Sequence, residues 1–274
     1  MTLQEELNMD IGMITCNYFM HIYHYQRPEN FNWGDMVKKY EAEFSQADFL
    51  KLAEEIRSIG FNSLEIWAPT FSYTVYTPEK AEEMAGKLEG MGFDSLAYCI
   101  GGWGAGDFDQ IEKAYAFASA MGCKVVTGCI RKDDVDIILP EIERCGKQYG
   151  LLYAIENHPL PSIEDPEDVK RLAAPYSTIG ANLDTGIYNM LGYDVVKAAD
   201  LLKDKIYHVH FKDTPKGGSG CQPLGDADTP LAPVLRKLRS WDYKYMVSIE
   251  FEYEHHPLPG LHKSLGFING VLAV

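Results

Sequence analysis

Basic residues are scarce in this chain, which has 25 lysines and arginines against 40 aspartates and glutamates and a formal net charge of -15. No cluster of lysine or arginine stands out. An anionic surface repels phosphate backbones, so nucleic acid is not an expected partner. The chain also lacks a run of about 18 apolar residues, and its acidic first residues lack the apolar core of a signal peptide. We therefore expect neither a membrane span nor secretion, and we expect a cytoplasmic protein.

Closely paired cysteines and nucleotide-binding motifs are missing as well. None of the six cysteines forms a C-x-x-C pair, and most lie in apolar or helical stretches, which predicts free thiols in a reducing compartment. The glycine-rich segment 101–106 is not followed by G-K-[ST], and no dinucleotide fingerprint follows the first predicted strand. These absences argue against a disulfide framework and against open nucleotide-binding sheets.

The chain does have a regular alternation of short apolar segments with amphipathic segments. Strands are predicted over 9–16, 61–67, 91–100, 123–128, 151–156, 177–183, 206–211 and 245–250. Helices are predicted over 46–59, 78–90, 108–121, 135–149, 166–173, 193–202 and 231–239, with a last helix in the tail. Such alternation argues for a parallel sheet. Eight units in 274 residues argue for one α/β domain over 1–274, a closed (β/α)8 TIM barrel.

A long aromatic connection, residues 17–40, follows the first predicted strand. Loops of this length inside compact domains commonly cover or bind ligands. One interpretation is an aromatic wall over the mouth of a site, suited to stacking on sugar faces or on a planar group. The other is a folded excursion with a small core of its own.

Four polar residues fall at the C-terminal ends of predicted strands five to eight: Glu156, Asp184, His210 and Glu250. A barrel brings such positions together at one mouth. Three carboxylates and one imidazole share a small volume only if a positive charge offsets their repulsion. A divalent cation does so, and oxygen-rich ligation with one nitrogen suits Mn²⁺, Mg²⁺, Co²⁺ or Zn²⁺. Taken singly, each residue also fits a solvated carboxylate, a turn cap or a core histidine.

A cation at this position would polarise a sugar carbonyl and make the neighbouring C–H acidic. Glu156 and Glu250 come from opposite parts of the arc and would remove and return a proton on two faces of the carbon. The residues thus predict a divalent-metal-dependent sugar isomerase or epimerase that works through an enediolate. A leaving group beta to the carbonyl would instead make it a lyase. The predicted substrate-binding residues are His158, Asn157, Glu65, Trp103 and Lys212.

Several segments resemble the sugar phosphate isomerase/epimerase superfamily of xylose isomerase-like TIM barrels: LLYAIENHP, GANLDTGIY, KIYHVHFKD, PLGDADTP and VSIEFE. This superfamily includes tagatose 3-epimerase-like enzymes, inosose dehydratases and hydroxypyruvate isomerases. The resemblance implies one divalent metal ion, Mn²⁺ first, held by Glu156, Asp184, His210 and Glu250, with the two glutamates as the acid–base pair. It also implies a homo-oligomer, a dimer or tetramer, and a heteromeric partner over the mouth is a further expectation.

Two positions depart from the ketose 3-epimerases of that superfamily. Those enzymes place a histidine three residues after the metal-binding aspartate, where this chain has Ile187. They also place an arginine after the metal-binding histidine, in the segment where this chain has Pro215 and Lys216. Both residues hold oxygens beside the reacting carbon in those enzymes. Together with the aromatic connection, the departures favour a bulkier or flatter substrate, such as a 3-oxo-glycoside that loses its aglycone.

Two further classes share the barrel. DNA repair endonucleases of the superfamily need a multinuclear zinc site with more histidines and a cationic groove. The net charge of -15 and the single histidine among the four strand-end residues oppose this class. A barrel that only binds sugars would have no need of all four strand-end residues.

Overall fold

The computed structural model describes residues 9–218 and 220–273, and its strands form one closed parallel barrel in chain order. Each strand pairs with the next, and the eighth pairs with the first. The predicted TIM barrel is therefore confirmed. The strands are β1 Ile11–Ile14, β2 Ser63–Trp67, β3 Ser95–Trp103, β4 Val125–Ile130, β5 Leu152–Glu156, β6 Ile179–Asp184, β7 Ile206–Phe211 and β8 Val247–Ile249.

Helices cover the outside of the barrel. In the described residues they are α1 Trp33–Glu43, α2 Gln46–Ile59, α3 Pro78–Gly90, α4 Phe108–Ala120, α5 Val135–Tyr149, α6 Pro166–Ala173, α7 Thr185–Met190, α8 Val195–Leu202, α9 Leu231–Ser240 and α10 Leu258–Leu272. The bounds of α2, α3, α5 and α6 are those predicted. Every helix of residues 9–218 and 220–273 is too short or too polar to cross a bilayer.

Local sequence signals set where α2 begins and ends. Ser45 and Asp48 form a capping box, in which each side chain accepts a hydrogen bond from the other residue's backbone N–H at 3.2 Å. Gly60 ends the helix with φ 112°, a backbone conformation that glycine adopts without a steric penalty. Gly60 is the end signal on which the sequence prediction of this helix depended, and the capping box explains where the helix begins.

The third strand lies later in the chain than predicted. The predicted range 91–100 becomes Ser95–Trp103, because residues 91–92 form the turn that ends α3 and the glycine-rich segment continues the strand past a bulge. A Cβ on Gly102 would lie only 2.5 Å from Cys129 Sγ of β4. The glycine therefore permits close strand packing rather than the simple loop that its composition suggested.

Two helices, α1 and α7, were not predicted. Helix α1 lies inside the aromatic connection, where the Asn32 side chain accepts the Asp35 N–H at 3.2 Å and caps the helix. Its buried residues Met36 and Tyr40 are one turn apart and hold it to the barrel. Helix α7 has only six residues directly after β6, too few to give a hydrophobic period.

Candidate metal and active site

The structure brings together the four residues predicted to bind a metal ion. Glu156 and Asp184 are the last residues of β5 and β6, His210 is the second-last residue of β7, and Glu250 directly follows β8. One potential ligand atom from each lies within 4.8 Å of the corresponding atoms of the other three. All four side chains are buried. We refer to these residues as the quartet.

The oxygen and nitrogen atoms that the quartet offers as metal ligands fit a divalent cation. Asp184 Oδ2, His210 Nδ1 and Glu250 Oε2 are buried and make no hydrogen bond among the described residues. Buried polar atoms are nearly always hydrogen-bonded. Here the two carboxylate oxygens have only the Lys212 ammonium at ion-pair distance, and His210 Nδ1 lies 3.0 Å from Glu250 Oε2, so the lone pairs of these atoms can also accept a cation. Oxygen ligands with one imidazole nitrogen are a set that divalent cations accept. We therefore regard the quartet as a candidate metal site.

Behind the quartet, Glu65 orients the imidazole of His210. Its two oxygens lie 3.0 Å from His210 Nε2, one lies 2.9 Å from His208 Nε2, and the Thr127 hydroxyl donates to it at 2.6 Å. A carboxylate only accepts, so both imidazoles donate through Nε2. Burial opposes the charge of Glu65, but His208 and His210 outweigh burial and hold the pKa of Glu65 well below its usual range.

Because Nε2 of His210 donates to Glu65, the other ring nitrogen, Nδ1, faces Glu156 and Glu250. The His210 backbone N–H, bonded to Asn182 Oδ1 at 3.0 Å, fixes the same residue from its main chain. A ligating histidine that donates its other N–H to a carboxylate is common at metal sites. The prediction that Glu65 binds substrate is therefore corrected. Glu65 is fully buried, and its oxygens contact Thr127, His208 and His210.

Asn157 also supports the quartet from behind. Its amide Nδ2 donates to the Asp184 carbonyl at 3.1 Å, and its Oδ1 accepts the Asp184 N–H at 2.9 Å. Asn157 is fully buried, so its predicted contact with substrate is replaced by a contact that fixes the end of β6. Asp184 Oδ1 in turn accepts the Ile187 N–H at 2.8 Å and caps α7. Asp184 thus uses one oxygen as a helix cap and directs the other into the quartet.

Lys212 places a buried ammonium beside two quartet residues. Its Nζ lies 3.1 Å from Asp184 Oδ2 and 3.0 Å from Glu250 Oε2, at ion-pair distance but without hydrogen-bond geometry. Burial raises the pKa of Asp184 even though Lys212 lowers it. Burial also opposes the charge of Glu250, but Lys212 and His210 outweigh it and lower the pKa of Glu250. The predicted contact of Lys212 with substrate stays a prediction.

Three residues of the quartet, Glu156, His210 and Glu250, line a cavity of about 400 Å³, whose two walls differ in chemistry. The charged wall comes from the β5 to β8 side: Glu156, His158, His210, Glu250 and Glu252. The apolar wall comes from β1 to β4 and α1: Ile14, Cys16, Trp33, Val37, Trp67, Cys99, Gly101 and Cys129. His158 therefore faces the cavity, as a substrate contact requires.

Trp103 does not reach this cavity. Its ring is buried and stacks on Tyr153, with ring centroids 5.5 Å apart and an angle of 19° between the planes. It also stacks on Tyr115 of α4, which places it between the barrel and the outer helices. The prediction that Trp103 contacts substrate is corrected for this reason.

The aromatic connection combines both interpretations made from the sequence. Tyr18, Phe19 and Tyr40 are buried and form a small core. Phe19 stacks under Trp33 with centroids 5.0 Å apart, and Tyr40 meets Trp67 edge-on at 5.6 Å. This packing fixes both tryptophans, and each contributes to the apolar wall. The connection thus has its own core and also supplies an aromatic surface to the cavity.

The sequence analysis missed several residues of the cavity lining, among them Cys16, Trp67 and Glu252. Glu252 follows Glu250 by two residues, the spacing at which side chains on an extended segment face the same side, and this was the available signal. Burial, followed by the charges of Glu252 and Glu250, raises the pKa of Cys16, so its thiol is neutral beside these carboxylates. Nothing in the apolar context of Cys16 marked it as a cavity residue.

Residues 53–270 match the family model described as xylose isomerase-like TIM barrel. No curated protein is significantly similar to the chain in sequence. Among solved structures, a D-allulose 3-epimerase from Methylomonas sp. is 13% identical with a TM-score of 0.72, covering 96% of this chain and 98% of that chain. A probable 3-DHS dehydratase from Bacillus anthracis is 15% identical with a TM-score of 0.69, covering 95% and 99%.

A 3-keto-D-glucoside 4-epimerase from E. coli is 15% identical with a TM-score of 0.62, covering 96% of this chain and 99% of that chain. At such identities the similarity shows a shared fold. The reactions named for these three proteins differ, so the fold alone does not select one of them.

Proposed function

Because the chain belongs to the xylose isomerase-like TIM-barrel family, we propose that it is a divalent-metal-dependent sugar isomerase or epimerase. The observation that carries the proposal is the quartet, in which three carboxylates and one imidazole have donor atoms within 4.8 Å of one another. Three of its buried ligand atoms, Asp184 Oδ2, His210 Nδ1 and Glu250 Oε2, make no hydrogen bond among the described residues. Family membership and the activities named for its structural neighbours support an enzyme that acts on a sugar or a sugar derivative.

Glu156, Asp184, His210 and Glu250 would hold the ion, and we propose Mn²⁺ as the preferred one because the set is rich in oxygen. Mg²⁺, Co²⁺ and Zn²⁺ are the alternatives. When bound, the ion supplies a positive charge that stabilises the enediolate formed from the substrate. A second copy or a different chain that covers the mouth stays a prediction.

The two glutamates would act as the acid–base pair. Glu156 Oε1 lies 3.4 Å and Glu250 Oε2 lies 3.0 Å from His210 Nδ1, so both carboxylates flank one point of the cavity floor. Glu250 is ionised beside Lys212 and His210, which lower its pKa, and the carboxylate is the form that would take a proton from a carbon next to a carbonyl. Glu156 would return a proton on the other side, and His158 on the charged wall would bind a hydroxyl.

A screen in deuterated water, read by NMR, tests this function. Metal-loaded protein is incubated with free ketoses, keto-inositols and 3-oxo-glycosides. We expect deuterium to enter one sugar C–H while the carbon skeleton is retained, which identifies isomerase or epimerase chemistry and the carbon attacked. Absence of exchange with every substrate, in protein shown to hold its ion, would contradict the proposal.

A metal-dependent lyase on a keto-sugar derivative is the second candidate. The apolar wall favours it, because Trp33, Val37 and Trp67 offer an apolar surface on which an aglycone attached to the sugar ring would pack. Ile187 stands where ketose 3-epimerases have a histidine that binds a substrate oxygen. A dehydratase and a keto-glucoside enzyme are among the structural neighbours. Loss of water from a keto-inositol, or of the aglycone from a 3-oxo-glycoside, would select this candidate.

A further inference from the structure

Lys212 brings a positive charge to the quartet from outside the cavity. It directly follows β7, and its Nζ lies 3.1 Å from Asp184 Oδ2 and 3.0 Å from Glu250 Oε2. Lys212 is buried, and the described residues that line the cavity include Glu250 but not Lys212. A lysine held between two carboxylates carries its positive charge at neutral pH. The ammonium therefore contacts the same oxygens that the quartet offers to an ion.

The start of helix α7 fixes Lys212 in this position. The Lys212 N–H donates to the Thr185 hydroxyl at 2.9 Å, and that hydroxyl donates to the Lys212 carbonyl at 2.8 Å. A Cβ on Gly186 would lie 2.6 Å from Lys212 Cγ and 2.9 Å from its Cδ, so the glycine leaves a slot for the lysine stem. Thr185 and Gly186 directly follow Asp184. The segment that positions Asp184 therefore positions the ammonium as well.

The charges around the ligand oxygens match a divalent ion. The three carboxylates of the quartet contribute three negative charges, and the Lys212 ammonium contributes one positive charge. His210 donates through Nε2 to Glu65, so its Nδ1 would bind an ion as a neutral ligand. The quartet and Lys212 together therefore carry two net negative charges, which one divalent ion offsets. A trivalent ion would leave a buried positive charge without a partner, which is costly.

We propose that Lys212 sets the charge selectivity of the quartet, so that the site accepts divalent ions and disfavours trivalent ones. The repulsion between the ammonium and a bound ion grows in proportion to the charge of the ion. It therefore weakens the binding of a trivalent ion more than the binding of a divalent ion. The inference rests on the ion site of the proposed function, but it depends on no step of the reaction.

Competition between two ions in the intact Lys212→Met protein tests this role. Methionine keeps an unbranched apolar stem and removes the charge. Mn²⁺ is titrated into the metal-free protein and followed by electron paramagnetic resonance, and diamagnetic Lu³⁺ is then added to displace it. From Coulomb repulsion with the screening of bulk water, we expect at least about tenfold tighter binding of Mn²⁺ than in the wild type and at least about thirtyfold tighter binding of Lu³⁺. The ratio of the two affinities is the decisive quantity, because a purely structural role of Lys212 would change both affinities together.

Lys205→Met is the matched control. Lys205 is half-buried and directly precedes β7, at the opposite end of the strand from the quartet, and its Nζ donates to the Tyr176 carbonyl at 2.6 Å. This variant should keep both wild-type affinities. Lys212→Gln also lacks the charge but keeps an N–H donor for one carboxylate. It should shift the ratio in the same direction, and it supplies the measurement if Lys212→Met does not fold.

The possible outcomes separate this inference from the proposed function. An unchanged ratio of the two affinities in a folded Lys212 variant would overturn the role of Lys212 while leaving the quartet and the proposed function standing. A wild type that binds no Mn²⁺ would contradict the ion site and this inference together. A wild type that binds Mn²⁺ and shows the shifted ratio in Lys212→Met, but turns over no sugar, would contradict the reaction alone.

Discussion

The two walls of the cavity come from different halves of the barrel and differ in the work they can do. The charged wall, on the β5 to β8 side, contains groups that can hold an ion or move a proton. The apolar wall, from β1 to β4 and α1, contains aliphatic side chains, thiols and two tryptophans. The β5 to β8 half of the barrel thus presents the ionisable groups of the cavity, and the β1 to β4 half, with α1, presents its apolar surface. Glu65 of β2 connects the halves, because it orients His210 from across the interior.

The largest expected effect comes from the charged wall. Glu250→Gln keeps the shape of the side chain but removes its charge and its basicity. We expect kcat to fall by about 10²–10⁴-fold, the usual contribution of a positioned acid or base. The measurement is the rate of deuterium exchange into the substrate identified by the NMR screen. The exposed Glu167→Gln on α6 is the control and should keep wild-type activity.

Glu65→Gln tests the connection between the halves. An amide cannot accept from two imidazole N–H groups and the Thr127 hydroxyl as the carboxylate does, so His210 loses its fixed orientation. We expect the affinity for Mn²⁺ to fall by about 10–100-fold, measured by calorimetry. Thr127→Val removes one donor only and should cause a smaller loss in a fully folded protein. Unchanged affinity in both variants would contradict the role of Glu65.

The position of β6, which presents Asp184, depends on Glu143 of α5. Its carboxylate accepts from the N–H and hydroxyl of Ser177 at 3.0 and 2.7 Å and from those of Thr178 at 2.9 and 2.6 Å. Lys147 Nζ lies 2.8 Å away. Burial opposes the charge of Glu143, but Lys147, Thr178 and Ser177 outweigh burial and lower its pKa.

We expect Glu143→Gln to reduce the free energy of unfolding by about 1–3 kcal/mol at neutral pH, from the value of hydrogen bonds to charged groups. Because the pKa of Glu143 is lower in the folded state, its stabilisation is complete above the unfolded-state pKa of about 4.3. The stabilisation is lost as pH falls through the lowered folded-state pKa. Urea unfolding at several pH values should show the difference from wild type shrinking in acid, and the exposed Glu54→Gln should show no such trend.

The smallest expected effect comes from the apolar wall. Trp33→Ala removes an exposed ring whose position is fixed by Phe19. Affinity for phenyl glucoside should fall by about three- to tenfold, from the value of an aromatic contact, and affinity for methyl glucoside should barely change. Phe108→Ala is a matched control, since Phe108 is 40% exposed against 41% for Trp33 and lies outside the cavity lining. Equal losses for both ligands would remove the distinction between the walls.

The charged wall could be predicted from the sequence more fully than the apolar wall. Glu156, Asp184 and Glu250 are carboxylates at the ends of apolar strands, where burial needs a reason, and the barrel order brings them together. Cys16 and Trp67 gave no such signal, because thiols and tryptophans are ordinary core residues. Their position at the mouth follows from where each strand ends, which composition does not determine.

Depth along the barrel axis and side-chain direction explain two of the corrected predictions, those for Glu65 and Asn157. Glu65 lies two residues before the end of β2 and therefore reaches the interior below the mouth. Asn157 lies one residue after Glu156, so its side chain points away from the cavity and toward the end of β6. A sequence shows that a polar residue is close to a strand end. It does not show on which side of the mouth the side chain lies, because that depends on register and on the neighbouring strand.

The central claim is that the quartet holds one divalent ion on which the chemistry depends. Titration of the metal-free protein with Mn²⁺, followed by electron paramagnetic resonance, tests it most directly. The account predicts one tightly bound equivalent in the wild type and its loss in Asp184→Asn, with circular dichroism showing both proteins equally folded. A wild type that leaves all Mn²⁺ free, or an Asp184→Asn variant that binds it as tightly, would contradict the account.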